Sequence, residues 1–80
     1  MPDQPQFDRL RRDCSARLEE FITEARESER RMRNIKSPAT AQEVQWFTTQ
    51  RAAELDACHE YILASHQLAE FLQQHVQSIQ

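Results

Sequence analysis

Three histidines and two cysteines are the side chains of this chain best suited to metal or nucleophilic chemistry. His59 and His66 lie seven residues apart, and Glu70 follows four residues after His66. Helical zinc sites normally use histidines four residues apart or a cluster of cysteine and histidine. Cys14 and Cys58 instead belong to apolar stripes elsewhere on the helices. The spacing therefore predicts solvated histidines, with neither a metal site nor a bound cofactor.

The thirteen carboxylates are the other groups suited to proton transfer. They fall on charged helix faces beside arginines, as in the pairs Glu27/Arg31 and Glu29/Arg33. General acid–base catalysis needs such a group inside a pocket, and a pair of helices offers none. We therefore expect a protein that is not an enzyme and has no small-molecule substrate.

The elements that carry these residues follow from the composition. The chain has no glycine, and its prolines (Pro2, Pro5 and Pro38) lie near the start and in the middle. Small strand-rich folds usually need glycine in their hairpin turns, so an all-α fold is favoured. We predict one domain over residues 1–80, a two-helix antiparallel hairpin resembling a coiled coil. Its helices should cover about 4–34 and about 41–78, with a linker at about 35–39.

The first helix carries one narrow apolar seam, with residues three or four apart: Phe7, Leu10, Cys14, Leu18, Phe21, Ala25, Ser28, Met32 and Ile35. The mean spacing of about 3.5 residues is the coiled-coil value. Asp3 with Gln6 fits a capping box at its start, and Asn34 can end it. Thr40 with Glu43 fits a better capping box for the second helix. Facing residues in such a hairpin should have numbers that sum roughly to 75, placing Phe21 near Leu55.

The second helix carries two apolar stripes, roughly 120° apart at about 100° per residue. One contains Val44, Phe47, Leu55, Cys58, Ile62, Ala69, Leu72, Val76 and Ile79, and we expect it to pack on the first helix. The other contains Trp46, Ala53, Ala57, Tyr61, Ala64, Leu68 and Phe71, and we predict that it binds a partner. Two helices with one shared seam make a small core, so association into a larger helical bundle is expected. The partner is either another protein or a second copy of the chain.

Cysteine content and charge limit the redox state, the class of partner and the cellular location that the chain can have. We expect two buried, reduced thiols; a Cys14–Cys58 disulfide across the hairpin is the alternative, although helix axes about 8–10 Å apart disfavour it. Residues 1–36 carry a net charge of +1 and residues 37–80 carry −4. No strongly basic region drives nucleic-acid binding, although arginines crowd the end of the first helix. No apolar run is long enough for a membrane span, and the start lacks a signal-peptide layout, so a bacterial cytoplasmic location is expected.

The segment from Ala39 to Ala57 resembles the small hairpin co-chaperones of type III secretion systems. The matching positions are Gln42, Gln45, Trp46, Ala53, Leu55 and Tyr61. The amphipathic stretch from Leu18 to Met32, with its basic end, is also similar to that family. The resemblance implies a cytosolic protein that, with a helical-repeat partner chaperone, keeps the needle-filament subunit soluble.

Two other interpretations of the same sequence stay open. A homodimeric four-helix bundle of a phage or plasmid type, with a regulatory or inhibitory role, would also bury the second stripe. Nucleic-acid binding through Arg30, Arg31, Arg33 and Lys36 is the weaker alternative, because Glu27 and Glu29 lie among these residues.

Overall fold

Two long helices form the structure, a computed structural model that describes residues 4–76. Helix α1 spans Gln4–Asn34 and helix α2 spans Ala41–Val76. They pack side by side over their whole length in a rod with extents of 60 × 17 × 15 Å. The predicted all-α antiparallel hairpin is confirmed. The predicted cap at Asp3, the helix end near Ser78 and the stripe residue Ile79 lie outside the described residues.

The connection between the helices is held by the predicted capping box. The backbone N–H of Glu43 donates to Oγ1 of Thr40 at 3.1 Å, and the N–H of Thr40 donates to Oε1 of Glu43 at 3.0 Å. The N–H of Lys36 also points at the Glu43 carboxylate, at 3.4 Å. These N–H donors, Thr40 foremost, hold the pKa of Glu43 below its usual range. One side chain thus ties the linker to the first turn of α2. The Ser37–Pro38 peptide bond in this linker is cis.

Ion pairs along the outside of α1 support the helix locally. Glu27 receives Arg30 in two hydrogen bonds, of 2.9 and 2.5 Å, and Arg31 at 3.2 Å. The Arg30 bond, before any other cause, lowers the pKa of Glu27, and the same bond raises the pKa of Arg30. Glu29 pairs with Arg33 one turn on. All are pairs between residues three or four apart on the surface, so each contributes little to stability.

One row of side chains on each helix faces the other helix, and we call the α2 row the inner seam. It comprises Glu43, Phe47, Gln50, Glu54, Ala57, Tyr61, Ala64, Leu68, Phe71 and His75, all buried or half-buried. The steps alternate between four and three residues without interruption, which is the coiled-coil period. The matching row on α1 is Phe7, Leu10, Cys14, Arg17, Phe21, Glu24, Ser28 and Arg31, and Ile35 continues it just after the helix ends.

Ring stacking and size complementarity set the register. The rings of Phe7 and Phe71 stack with centroids 6.1 Å apart, and those of Phe21 and Tyr61 with centroids 6.4 Å apart. With Phe7 opposite Phe71, facing residues have numbers that sum to 78, so Phe21 falls opposite the small Ala57. Ala64, which is 5% exposed, falls opposite Cys14 in the same way. The layers therefore differ: two rings meet at Phe7 and Phe71, a ring meets an alanine at Phe21 and Ala57, and two small residues meet at Cys14 and Ala64.

Polar side chains on the seam near the linker make two contacts across the interface, one a hydrogen-bonded pair and one a cation on a ring. Nε2 of Gln50 donates to the backbone carbonyl of Glu24 at 2.9 Å and to its Oε2 at 3.0 Å. The guanidinium of Arg31 lies 5.7 Å from the ring centroid of Trp46. The seam therefore satisfies Gln50, whereas Nε of Arg31 and Oγ of Ser28, on the same interface, are buried without a hydrogen-bond partner.

The two stripes of α2 are used in the reverse of the predicted way. The stripe expected to pack on α1 is largely outside the interface: Val44, Leu55, Ile62, Leu72 and Val76 are 43–57% exposed. Tyr61, Ala64 and Phe71, expected to meet a partner, instead pack on α1. The physical reason is that aromatic stacking and close approach at alanines outweigh the extra aliphatic content of the other stripe. On α1, Arg31 takes the seam position predicted for Met32, which is 55% exposed.

Candidate interaction surface

The residue that follows each inner-seam position forms a second row on α2, which we call the outer seam. Between residues 55 and 76 it comprises Leu55, Cys58, Ile62, Ser65, Ala69, Leu72 and Val76. Because one residue turns an α-helix by about 100°, the outer seam lies on the flank of α2 rather than against α1. It has the same three-and-four spacing as the inner seam, so α2 has two neighbouring coiled-coil stripes, and α1 covers only one of them.

Helix α1 adds apolar side chains to the same side of the hairpin. In an antiparallel pair, the positions one residue after each seam position lie on the same side of the hairpin for both helices. Seen from one end, successive residues advance counterclockwise in one helix and clockwise in the other, and the two seams face each other. On α1 these positions include Leu18, Ile22, Ala25 and Met32. We call this side, with the outer seam and Val44, the open face. Leu18 and Ala25 are half-buried, whereas Ile22 is 38% exposed and Met32 is 55% exposed.

The opposite side, which we call the back face, is polar. It carries the positions one residue before each seam position, among them Asp13, Glu20, Glu27 and Arg30 on α1. On α2 the corresponding residues are Gln42, Trp46, Thr49, Ala53, Asp56, Glu60, Leu63, Gln67, Glu70 and Gln74. Trp46, Ala53 and Leu63 are its apolar members on α2, and no two of them are adjacent along the row. The hairpin is therefore a ribbon with one polar broad side and one that is mainly apolar, whose charged helix positions are Asp8, Arg11, Glu29 and Arg51.

The predicted partner-binding residues are divided between the inner seam and the back face. Ala57, Tyr61, Ala64, Leu68 and Phe71 belong to the inner seam and are half-buried or buried. Trp46 and Ala53 are exposed on the back face. The structure thus brings five of the seven together, but against α1 rather than towards solvent. Trp46 is 51% exposed and borders a cavity of about 230 Å³ lined also by Arg30, Arg31, Asn34, Ile35, Glu43 and Phe47.

The sequence pattern identifies both stripes of α2 but predicts the wrong one to face α1, for an identifiable reason. A straight-helix projection separates stripes at 100° per residue, whereas a supercoiled pair keeps a 3.5-residue period. At about 20° per heptad, the two conventions drift apart by about a quarter of a turn between Glu43 and His75. The signal that identifies the seams is the strict alternation of three and four steps, which runs through the polar residues Gln50 and Glu54 as well.

The histidines and cysteines show no arrangement for catalysis among residues 4–76. Nε2 of His66 lies 3.0 Å from Oε1 of Glu70, with both side chains more than half exposed. Within the described part of the chain, no three side chains of metal-ligating type cluster together. Cys14 and Cys58 are free and half-buried, in different rows of the hairpin. Among residues 4–76, no histidine, cysteine or carboxylate side chain is buried.

Comparison of the chain with known family models, with curated proteins and with solved structures gave no match. Neither described helix is long and apolar enough to cross a membrane. The surface itself, rather than a relative, therefore has to support a functional assignment.

Proposed function

We propose that this protein is a non-enzymatic binding module that presents its open face to another protein. The observation that carries the proposal is the outer seam, in which Leu55, Ile62, Leu72 and Val76 are each about half exposed. Complete burial of a large aliphatic side chain is worth about 1.5–3 kcal/mol, so the remaining half of each offers roughly 1 kcal/mol. Exposed apolar rows of this kind are typical of helix-binding surfaces.

The process in which this binding takes part is, on our proposal, type III secretion. The protein acts as a bacterial cytoplasmic co-chaperone that stabilises a helical-repeat chaperone and its needle-subunit cargo. Support comes from the hairpin architecture and from the resemblance of the segment from Ala39 to Ala57. Stabilisation works by mass action, because a partner that binds only the folded form shifts the folding equilibrium towards it.

Affinity capture with matched variants tests this function. Tagged full-length chain is incubated with lysate of the native host, alongside a Leu55→Glu variant and a Leu63→Glu control. Leu63 is 47% exposed but lies on the back face, so its substitution introduces the same charge away from the outer seam. We expect the wild type and the control to capture a helical-repeat chaperone together with a needle subunit, and Leu55→Glu to lose both.

The proposal fails if the wild type captures no helical-repeat protein, or if the Leu55→Glu variant captures it as well as the control does. Circular dichroism of the three proteins shows whether each is folded. A Leu55→Ala variant, which removes the side chain without adding charge, replaces Leu55→Glu if that protein is not helical.

A further inference from the structure

We infer that the open face binds a second copy of this chain when no other partner is present, through antiparallel packing of the two α2 helices. This goes beyond the proposed function, since it concerns the chain by itself. The inference rests on three properties of the outer seam: its length, the placement of charge around it, and its fit to its own reversed copy.

The length of the seam calls for a helix as its occupant. From Leu55 to Val76 the row runs for roughly 32 Å at 1.5 Å per residue. In the register where facing numbers sum to 78, Leu72 lies at the height of residue 6, next to the open-face residue Asp8 of α1, so α1 does not extend the apolar surface there. An occupant must therefore bring its own continuous apolar row of about this length.

The placement of charge around the outer seam favours a partner helix whose contacting side chains are uncharged. All five carboxylates of α2 lie away from the open face, on the inner seam or on the back face: Glu43, Glu54, Asp56, Glu60 and Glu70. Bordering the outer seam on its far side are Ala52, His59, His66 and Gln73, which carry no carboxylate or ammonium group. The charged residues of the open face lie outside this stretch, at Arg51 on α2 and at Asp8, Arg11 and Glu29 on α1. Asp8 and Arg11 pair with each other at 3.5 Å, and Glu29 pairs with Arg33. Along α2 from Leu55 to Val76, a charged partner row would therefore meet no opposite charge. Two α2 helices approach through this row without carboxylates meeting, although residues 37–80 carry a net charge of −4.

The seam also fits itself when one copy is reversed. Two-fold interfaces require that a surface complement itself. In one antiparallel register, Leu55 meets Leu72 of the second copy and Ile62 meets Ser65 of the second copy. Cys58 then meets Ala69 of the second copy. Ile62 lies next to the two-fold axis and packs on the small Ser65 of the second copy, so close helix approach is possible there. The result is a four-helix arrangement in which the back faces point outward.

Measurement of the molar mass of the purified full chain tests the inference. Light scattering across a micromolar dilution series should give twice 9.5 kDa for the wild type at the higher concentrations. Ile62→Glu should raise the dimer dissociation constant by at least about 100-fold, because symmetry buries the unpaired carboxylate twice. The matched back-face control Leu63→Glu should leave it unchanged. A wild type that is monomeric throughout, or two variants with equal dissociation constants, would overturn the inference.

A crosslinking experiment tests the arrangement without relying on a destabilising substitution. In a Cys14→Ala, Cys58→Ala background, Ser65→Cys is placed near the middle of the seam and Gln67→Cys at nearly the same height on the back face. A short bis-maleimide reagent should join two Ser65→Cys chains rapidly and two Gln67→Cys chains slowly. Equal rates, or faster joining through Gln67→Cys, contradict antiparallel packing through the open face.

Discussion

At the scale of single residues, Glu43 has the largest number of backbone partners of any side chain near the linker. Its carboxylate accepts from the N–H of Thr40 and from the N–H of Lys36, while its own N–H binds Oγ1 of Thr40. N–H groups at the start of a helix have no partners within it, so a carboxylate placed there satisfies them and favours the positive end of the helix dipole. The linker and α2 are therefore joined by an interaction that depends on ionisation.

We predict that this interaction makes stability depend on pH between neutrality and the acid range. Folding lowers the pKa of Glu43 from its ordinary value of 4.5. Its contribution to the free energy of unfolding is therefore complete above pH 4.5 and is lost as the pH falls through the lower folded-state value. Glu43→Gln keeps an oxygen acceptor but does not titrate, so urea unfolding should show the wild type more stable at pH 7 and the difference shrinking towards pH 3. A difference that stays constant with pH contradicts the assignment.

At the scale of the elements, α2 is a helix with two neighbouring seams of different composition. The inner seam has aromatics, alanines and several polar residues, and the outer seam is mostly aliphatic. The pairing with α1 is decided by shape, since Phe7 and Phe21 meet rings on α2 and small residues lie between those layers. The aliphatic row remains available because it cannot face α1 at the same time. The interface thus consists of a few specific stacks rather than the most hydrophobic surface.

We predict that Phe71→Ala destabilises the hairpin by about 3 kcal/mol, as expected for loss of a buried phenylalanine. Phe71 is 8% exposed and stacks on both Phe7 and His75. Leu63→Ala, an exposed back-face control, should change the free energy of unfolding by less than about 0.5 kcal/mol. Urea denaturation of both variants at one protein concentration checks the pair. Equal losses would mean that the inner seam is wrongly assigned.

At the scale of the whole molecule, the hairpin is long and thin, with extents of 60 × 17 × 15 Å. Of the apolar residues that the structure describes, only Ala64 and Phe71 are buried within the chain. A rod with so small an interior buries little apolar surface of its own, so on our proposal a partner on the open face would add to its stability. Folding and association should therefore be coupled, whether the cover is a chaperone or a second copy.

We predict that the thermal midpoint of the purified chain rises with protein concentration, because a second copy binds only the folded form. Ile62→Glu should abolish this dependence, while Leu63→Glu should retain it. Thermal melts followed by circular dichroism over a roughly 100-fold range of protein concentration test this prediction. Such a range changes the free energy of association by about 2.7 kcal/mol. A wild-type midpoint that does not move with concentration would contradict coupling to self-association.

The sequence by itself determined the secondary structure and most of the helix boundaries. The lack of glycine, the position of Pro38 and the Thr40–Glu43 pair predict two helices and their junction, because these are local effects of backbone conformation and hydrogen bonding. The helix limits at Gln4, Asn34 and Ala41 follow from the same local signals. The two apolar stripes of α2 can also be predicted from the sequence, since they depend only on the spacing of its apolar residues.

Only the tertiary structure decided which stripe faces α1. Both stripes of α2 have nearly the right composition, and the choice depends on how Phe7 and Phe21 fit against Phe71, Tyr61 and the alanines. Such fits involve pairs of residues 40 to 64 positions apart, together with a supercoil that a straight-helix projection leaves out. A small rotation of α2 exchanges the covered and the exposed row. Hydrophobicity alone therefore identifies the two rows but not their roles.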